Sequence, residues 1–448
     1  MIPKSLLISL LIVSAGLADN LTLEKAIKLS LENDPWLIKN KYIEKSIKSE
    51  SIKSGTYEDP KISIGLFNLP TDGFDFNQEA MTQFKVGITQ KLPRGDTLEI
   101  KEKQLLLKAS KFPYQRENRK LNNIVNISQL WFDIFKTQET ITIIERNRQH
   151  FEQLVDIAES TYSSGFGRTR QQDIIRAELE LTNLDDRITI LKQKKDELIA
   201  ILSVWLYKLD NEQIEGDNFI NKDKNNLSLN KTNLVLINHF LHKNITSNIL
   251  LEKFENHPLI KSINKEIAVS EKDINLAKQK YKPQFGLSAS YAYRGDDLKG
   301  NTRADLFSAG VTFDIPIFTK NRQDKELEST IYKTNSIKSK KSLQIRKFLS
   351  SYEKIKSELK KLKERETLYL KKLIPQTLEQ TEAALNAYTS DDGDFAEVAR
   401  SRIAQLNREI DVLNIKVAIK KNIIQYNYLF SKNTNDLIRS LNNKEIKL

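Results

Sequence analysis

An internal repetition constrains the fold of this chain more than any other feature. Prolines and glycines of the first half recur 223 positions later, in the same order and in similar local sequence. The pairs with this separation are Pro35 and Pro258, Pro60 and Pro283, Gly87 and Gly310, and Pro93 and Pro316. Solenoid repeats have periods of about 20 to 50 residues, so this longer period indicates two copies of one domain-sized unit.

The composition indicates long helices. The 448 residues would be enough for about three ordinary domains, yet only 14 are glycine and 10 are proline, and long stretches lack any turn signal. The net charge of +12 is spread along the chain without a basic block. This pattern favours solvated lysines over a nucleic-acid-binding arm, so we expect no nucleic-acid partner.

The residues suited to metal or redox chemistry are few. The chain has no cysteine, which excludes a disulfide framework and a thiolate metal site, and we expect no lipid-modified N-terminal anchor. The four histidines lie in no ligand motif, and Met81 is the only methionine besides the first residue. We therefore expect no cofactor and no bound metal.

The first 18 residues have the pattern of an export signal. Lys4 precedes an apolar run over residues 6–13, and small residues follow up to Ala18. The run is shorter than the roughly 20 apolar residues of a membrane-spanning helix. The sequence predicts a signal peptide over 1–18, with a buried N-terminal helix as the alternative, and a mature chain that acts beyond the inner membrane.

Each half is predicted to contain a short helix, a β-hairpin and a long helical pair. Thr22 is the expected N-cap of the first helix, because apolar residues at helical spacing follow it. The first predicted repeat covers 19–207, with its hairpin at 60–93 and its helical tip near 162–172. The second covers 251–432, with its hairpin at 283–316 and its tip near 388–394. A linker over 208–250 joins the repeats, and a C-terminal tail over 433–448 follows them.

Strict alternation of apolar residues predicts four strands. We expect each to have about nine to eleven residues, the span with which a tilted strand crosses a bilayer. The apolar face of the two hairpins is predicted to contact lipid; its members are Ile62, Ile64, Leu66, Phe84, Val86, Ile88, Phe285, Leu287, Phe307, Val311 and Phe313.

The remaining long segments have a coiled-coil pattern, with apolar residues at alternating spacings of three and four. The first seam consists of Ile174, Ala177, Leu181, Leu184, Ile188, Leu191, Leu198 and Leu202, with Lys195 as its only break. The second seam consists of Ile345, Phe348, Tyr352, Ile355, Leu359, Leu362, Tyr369 and Leu373. Pro113 and Pro375 are expected to kink their helices.

Four strands in a membrane require partner chains. An open sheet edge in lipid leaves backbone groups unpaired at a cost of several kcal/mol each, and the smallest known barrels have about eight strands. A dimer with eight strands or a trimer with twelve would satisfy the requirement. The alternative is a soluble coiled-coil protein with a small sheet, because strand alternation alone is a weak signal.

The chain resembles the TolC-like family of outer-membrane efflux proteins over nearly its whole mature length. Residues 21–26 (LTLEKA) and 33–35 (NDP) resemble the opening helix of that family, and Asp59-Pro60 leads into the first strand as it does there. Residues 68–74 (NLPTDGF), 78–82 (QEAMT) and 86–90 (VGITQ) resemble the heavy-metal branch, which exports copper, silver, cobalt, zinc or cadmium. The sequence PRGD at 93–96 departs from the usual Pro-Gly-Lys run.

The resemblance implies a mainly α protein with a small β part. A homotrimer would form a twelve-stranded transmembrane β-barrel in outer-membrane lipid, and the coiled-coil helices a periplasmic α-barrel. It implies a passive conduit without catalysis that docks with a periplasmic adaptor (a membrane fusion protein) and an inner-membrane pump of the RND type. Heavy-metal cations are the expected cargo. Multidrug, small-molecule or protein export by the same fold is one alternative, and a periplasmic coiled-coil adaptor or scaffold protein is another.

The helical tips are the expected gate. Residues 162–165 (YSSG) and 388–391 (YTSD) resemble the hairpin motif at the periplasmic end of the family. Three acidic residues of the second tip would form a ring around a threefold axis, which would attract cations and raise some of their pKa values. The alternative is a solvated acidic turn. The candidate gate residues are Tyr162, Gly165, Asp173, Tyr388, Asp391, Asp392 and Asp394.

Overall fold

The computed structural model describes residues 21–164, 170–210, 213–215, 247–390 and 392–442. The chain divides into two compact units. The helical unit comprises residues 1–34, 120–243 and 352–448, and the strand unit comprises 35–119 and 244–351. Each unit therefore draws on both halves of the sequence, so the compact units differ from the two predicted repeats.

Helices dominate the described residues. They are α1 (Leu23–Glu32), α2 (Pro35–Ser54), α3 (Thr97–Ala109), α4 (Phe112–Ser164), α5 (Gln171–Leu206), α6 (Ser247–Glu255), α7 (Pro258–Gln279), α8 (Gln323–Leu368), α9 (Ile374–Thr389), α10 (Phe395–Phe430) and α11 (Thr434–Asn442). A π-helical turn over Tyr369–Leu373 joins α8 to α9. No helix in the described ranges is both long enough and apolar enough to cross a membrane.

The strand unit contains a four-stranded antiparallel sheet. Its strands are β1 (Lys61–Phe67), β2 (Gln83–Lys91), β5 (Phe285–Tyr293) and β6 (Leu306–Phe313), in the order β1-β2-β5-β6. The two predicted hairpins are confirmed, and β2 joins them by pairing with β5. The short strands β3 (Lys208–Asp210) and β4 (Gln213–Glu215) form a separate hairpin.

Two of the four strands are shorter than the predicted nine to eleven residues. β1 has seven residues and β6 has eight, whereas β2 and β5 have nine each. β1 ends at Phe67 because the next residue, Asn68, takes a left-handed conformation with φ 55°, which an extended strand cannot continue. Beyond β6, one further backbone bond, from the Asp314 N–H to the Gln284 carbonyl, precedes Pro316.

The first predicted seam contributes to the core of the helical unit. Along α5, Ala177, Leu184 and Ile188 pack in one cluster of buried residues with α4, α9 and α10, and Leu198 and Leu202 pack in a second with α1 and α4. Lys195, the break in the seam, donates a hydrogen bond from Nζ to Gln138 Oε1 at 2.8 Å. The seam is thus confirmed, and its one polar position reaches a polar partner.

The two prolines predicted to kink helices each lie beside an interruption. Pro113 is the second residue of α4, directly after the break that ends α3 at Ala109. Proline is tolerated there because the N–H groups of a first helical turn have no intrahelical partner. Pro375 follows the π-turn, whose wider spacing accommodates a ring that would otherwise clash with the carbonyl of Lys371, four residues earlier.

Helix starts show the capping chemistry expected from the sequence. The Thr22 hydroxyl accepts a hydrogen bond from the Lys25 N–H at 3.2 Å, which confirms Thr22 as an N-cap. His257 caps α7 in the same way, since its Nδ1 accepts from the Leu259 N–H at 3.1 Å. α2 and α7 both begin at a proline of the 223-residue repetition, and β2 and β6 begin with the same separation.

An ion pair with a buried carboxylate lies between α2 and the first turns of α4 in the strand unit. The Glu44 carboxylate contacts Arg116 Nη1 and Lys48 Nζ, each at 2.6 Å, and its side chain is only 10% exposed. Burial by itself raises the pKa of Glu44, but the hydrogen bonds from Lys48 and Arg116 outweigh it and leave the pKa below its ordinary value. The Glu44 side chain is therefore an ionised carboxylate in the folded protein at neutral pH.

Three predicted segments lie wholly or partly outside the described residues. The signal peptide at 1–18 is one, and most of the 208–250 linker is another. In the segment assigned as a C-terminal tail, residues up to 442 are described and include α11. Leu437 and Leu441 of α11 are buried in the core of the helical unit.

Candidate functional site

One face of the four-stranded sheet is apolar and exposed. Direct cross-strand pairs place Ile64 opposite Val86, Val86 opposite Tyr291, and Tyr291 opposite Phe307, so that one apolar row crosses all four strands. The eleven predicted members of this face are all between 40% and 72% exposed. A surface this large and apolar requires a nonpolar environment or a partner, because monomers in water rarely expose such a patch.

The side chains on the opposite face of the sheet are mostly small or polar. Its members are Lys61, Ser63, Gly65, Phe67, Gln83, Lys85, Gly87, Thr89, Lys91, Gly286, Ser288, Ser290, Ala292, Leu306, Ser308, Gly310 and Thr312. This set contains three lysines and no carboxylate. We call it the polar face. An antiparallel sheet with one apolar and one polar face is the pattern of a wall between a nonpolar and an aqueous phase.

Both edges of the sheet are open in the described chain. β1 pairs only with β2, and β6 pairs only with β5. The outer backbone groups of these two strands are therefore available to another strand. Soluble proteins usually protect such edges by twisting, charging or covering them.

Two arginines link the loops that connect the strands of each hairpin. Arg303 Nη1 donates to the carbonyls of Glu79 at 3.0 Å and Asn77 at 3.3 Å, and Arg294 Nη1 donates to the Ala80 carbonyl at 3.3 Å. The two loops, at 68–80 and 294–305, are therefore joined to each other at this end of the sheet.

The other end of the sheet contains the sequence PRGD. Gly95 takes φ +46°, and a Cβ there would lie 2.4 Å from the Lys282 side chain. Arg94 pairs with Asp314 and donates to the Lys282 carbonyl at 3.0 Å, and Lys282 in turn pairs with Asp96 at 3.0 Å. These contacts tie the strand-to-helix corner of the first hairpin to the ends of the second.

A cavity of about 920 Å³ adjoins this corner within the strand unit. Lys91, the last residue of the polar face in β2, is part of its lining. Six lysines and arginines and four acidic residues line the cavity, which gives it a basic balance. Two of the acids are neutralised directly, because Asp314 pairs with Arg94 and Glu326 with Lys280.

A third acid of the cavity has a shifted pKa. Burial raises the pKa of Asp273 above its ordinary value, although Lys101 and a hydrogen bond from Gln104 act in the opposite direction.

The predicted gate residues have mixed environments in the helical unit. Tyr388 is 8% exposed and packs edge to face against Phe395 at 5.5 Å. Asp173 is buried and its Oδ2 accepts from the Arg170 N–H at 2.9 Å. Both side chains thus contribute to packing or capping of their own chain.

The remaining gate candidates are exposed or lie outside the described residues. Asp394 is exposed and is the N-cap of α10, since its Oδ1 accepts from the Ala396 N–H at 3.1 Å. Asp392 and Tyr162 are exposed as well. Gly165 and Asp391 are not among the described residues. Within the described ranges, no group of three or more histidine, aspartate or glutamate side chains could hold a metal ion.

No protein-family model matches the sequence, and no curated protein matches it either. Several solved structures with similar folds are described as outer-membrane channels. They include a structure of CusC concerned with folding and transmembrane channel formation (13% identity, 92% of each chain, TM-score 0.71). A second is the outer-membrane channel OprN, with 14% identity, 93% of this chain and 91% of that chain covered, and a TM-score of 0.72. A third is the Campylobacter jejuni CmeC outer membrane channel, with 14% identity, 96% of this chain and 91% of that chain covered, and a TM-score of 0.69. The fold predicted from the resemblance, mainly helical with a small antiparallel sheet, is confirmed.

The apolar face was predicted from the sequence, but the basic character of the polar face was not. The signal was present, because Lys61, Lys85 and Lys91 alternate with the apolar positions of the same strands. The link from Arg303 to the other hairpin left no comparable signal. Its partners are backbone carbonyls more than 220 positions away.

Proposed function

We propose that this protein is the outer-membrane channel of an export system and belongs to the TolC-like family. The observation that carries the proposal is the sheet with an exposed apolar face, a polar opposite face and two open edges. The apolar face would contact lipid, and the polar face would line water. The fold similarity to outer-membrane channels over more than 90% of the chain supports the same conclusion.

The barrel would be closed by identical chains. In a ring, β6 of one copy would pair with β1 of the next, which would satisfy both open edges. Three copies would supply twelve strands. Each half of a chain would contribute one hairpin and one helical pair. The helical units of the three copies would then form the periplasmic α-barrel.

The proposed role is passive. The channel would receive solutes from a periplasmic adaptor and an inner-membrane pump of the RND type, and would perform no catalysis. The resemblance of residues 68–90 to the heavy-metal branch supports heavy-metal export, and a general small-molecule exporter is the alternative. Metal and drug sensitivity of a deletion strain would separate these two cargoes.

Cysteine cross-linking tests the closure, because the natural chain has no cysteine. Ser63 of β1 and Ser308 or Thr312 of β6 lie on the polar face at opposite edges. Within one chain the two edge strands are three spacings apart, or about 14 Å. A disulfide requires Cα atoms within about 7 Å, so only neighbouring copies can be linked.

The double variants S63C/S308C and S63C/T312C should form disulfide-linked trimers in isolated outer membranes. The matched control is S63C/S288C, because Ser288 lies on the same face in the inner strand β5. This control should stay monomeric on a nonreducing gel. Covalent species that stop at dimers, or protein that fractionates as a detergent-free monomer, would refute the proposed barrel.

A further inference from the structure

The polar face carries a charge pattern that bears on what could pass through the proposed channel. Lys61, Lys85 and Lys91 lie on this face, and no acidic residue accompanies them on any of the four strands. In the described residues, no carboxylate lies within the 4.0 Å ion-pair limit of any of the three ammonium groups. Their charges are therefore not cancelled by a neighbouring acid.

The three lysines are spread along the wall. Lys85 is near the loop end of the sheet, where its Nζ lies 5.7 Å from the centre of the Phe67 ring. Lys61 is opposite Thr89, and Lys91 is at the helix end beside the cavity. The cation–π contact leaves the Lys85 ammonium group charged. A positive group therefore lies at three positions along the strands.

We propose that the strand wall of this channel is selective for anions, so that its preferred cargo is an anionic solute. This inference rests on the proposed function, because the polar face lines a pore only if the barrel forms. A homotrimer would place nine lysines around the lumen, three from each chain. Rings of lysine or arginine favour anions and repel cations in a pore.

An anion-selective wall would disfavour free heavy-metal cations as cargo. The only charged side chains that a hydrated divalent cation would meet along the strands are lysines, whereas an anion would be attracted by each of them. The basic balance of the adjoining cavity extends the same field beyond the sheet. Negatively charged organic solutes fit this wall better than free metal cations do.

Reversal potentials in planar bilayers test the inference. The purified trimer is placed in a KCl gradient and then in a potassium gluconate gradient. The variant K61Q/K85Q/K91Q should shift the reversal potential toward the potassium equilibrium potential relative to wild type, whatever the helical tips contribute. The shift should be larger near 0.1 M than near 1 M salt, because the Debye length falls from about 10 Å to 3 Å.

A matched control has the same loss of charge outside the sheet. K28Q/K354Q/K432Q removes three exposed lysines of the helical unit, two of which lie beside a glutamate, and should shift the reversal potential less than the strand variant does. An unchanged potential in the strand variant, with normal conductance and trimer content, would overturn the anion selectivity and leave the channel intact. A wild-type protein that neither trimerises nor conducts would instead refute the proposed channel itself.

Discussion

A lysine introduced on either face of β1 should separate a lipid-contacting wall from a soluble sheet. Ile64 is in the middle of β1 on the apolar face, and Ser63, its neighbour, is on the polar face. Both residues are exposed in the single chain, and Ile64 is 67% exposed. In water, either substitution would therefore change the free energy of unfolding by about 0.5 kcal/mol or less.

The membrane changes this expectation for Ile64 alone. A lysine on the lipid face at the bilayer midplane costs about 2–4 kcal/mol. Three copies in one barrel would bring the cost to about 6–12 kcal/mol per trimer by the same scale. We expect I64K to lose most of its trimer in the outer membrane, whereas S63K adds a charge to the aqueous side and should retain it.

The assay is refolding of both variants into lipid vesicles, followed by urea titration of the folded trimer. I64K should unfold at a lower urea concentration than wild type and insert in lower yield, and S63K should match wild type in both measurements. Equal behaviour of the two variants would refute the assignment of the apolar face to lipid. So would an I64K protein that is more stable than wild type as a monomer in plain buffer.

Three further substitutions test the local structure by urea unfolding. D394A removes the cap of α10 and should cost about 0.5–2 kcal/mol, and an equal cost for D392A, which makes no cap bond, would contradict the capping role. L202A should lower the free energy of unfolding by about 2–5 kcal/mol because Leu202 is buried. V204A, at a position that is 74% exposed, should lower it by about 0.5 kcal/mol or less. Similar costs for the two variants would contradict the burial of Leu202 in the core. Glu44 has a lowered pKa in the folded state, so its contribution is present above the unfolded pKa near 4.5 and is lost as pH falls through the folded value. E44Q should be less stable than wild type at pH 7, and this difference should narrow below pH 4.5; a constant difference would contradict the ion pair.

The elements of this fold could be predicted from local sequence patterns because their causes are local. Alternation over residues 62–66 and 84–88 predicted the first hairpin, and the direct pairs Ile64–Val86 and Leu66–Phe84 confirm that its apolar residues share a face. The prediction for Thr22 succeeded for the same reason, since a cap depends on residues within one helical turn.

The candidate gate was less predictable, because exposure depends on what packs against a residue. Tyr388 belongs to a motif at the tip, yet its ring lies in the core against Phe395. Asp394 was predicted as a pore charge, and the structure adds a capping bond to the first turn of α10. The carboxylate ring stays a prediction, with Asp392 as its exposed member outside any cap.

The sequence by itself determined the helices, the four strands and the alternation that separates an apolar face from a polar one, since side-chain periodicity follows from backbone geometry. Only the tertiary structure decided that β2 pairs with β5, because pairing between strands almost 200 residues apart leaves no local signal. That one pairing joins the two hairpins into a single wall and aligns the apolar residues of both halves. It also places the three lysines of the first hairpin on the same face as the second hairpin, whose strands carry no acid to balance them.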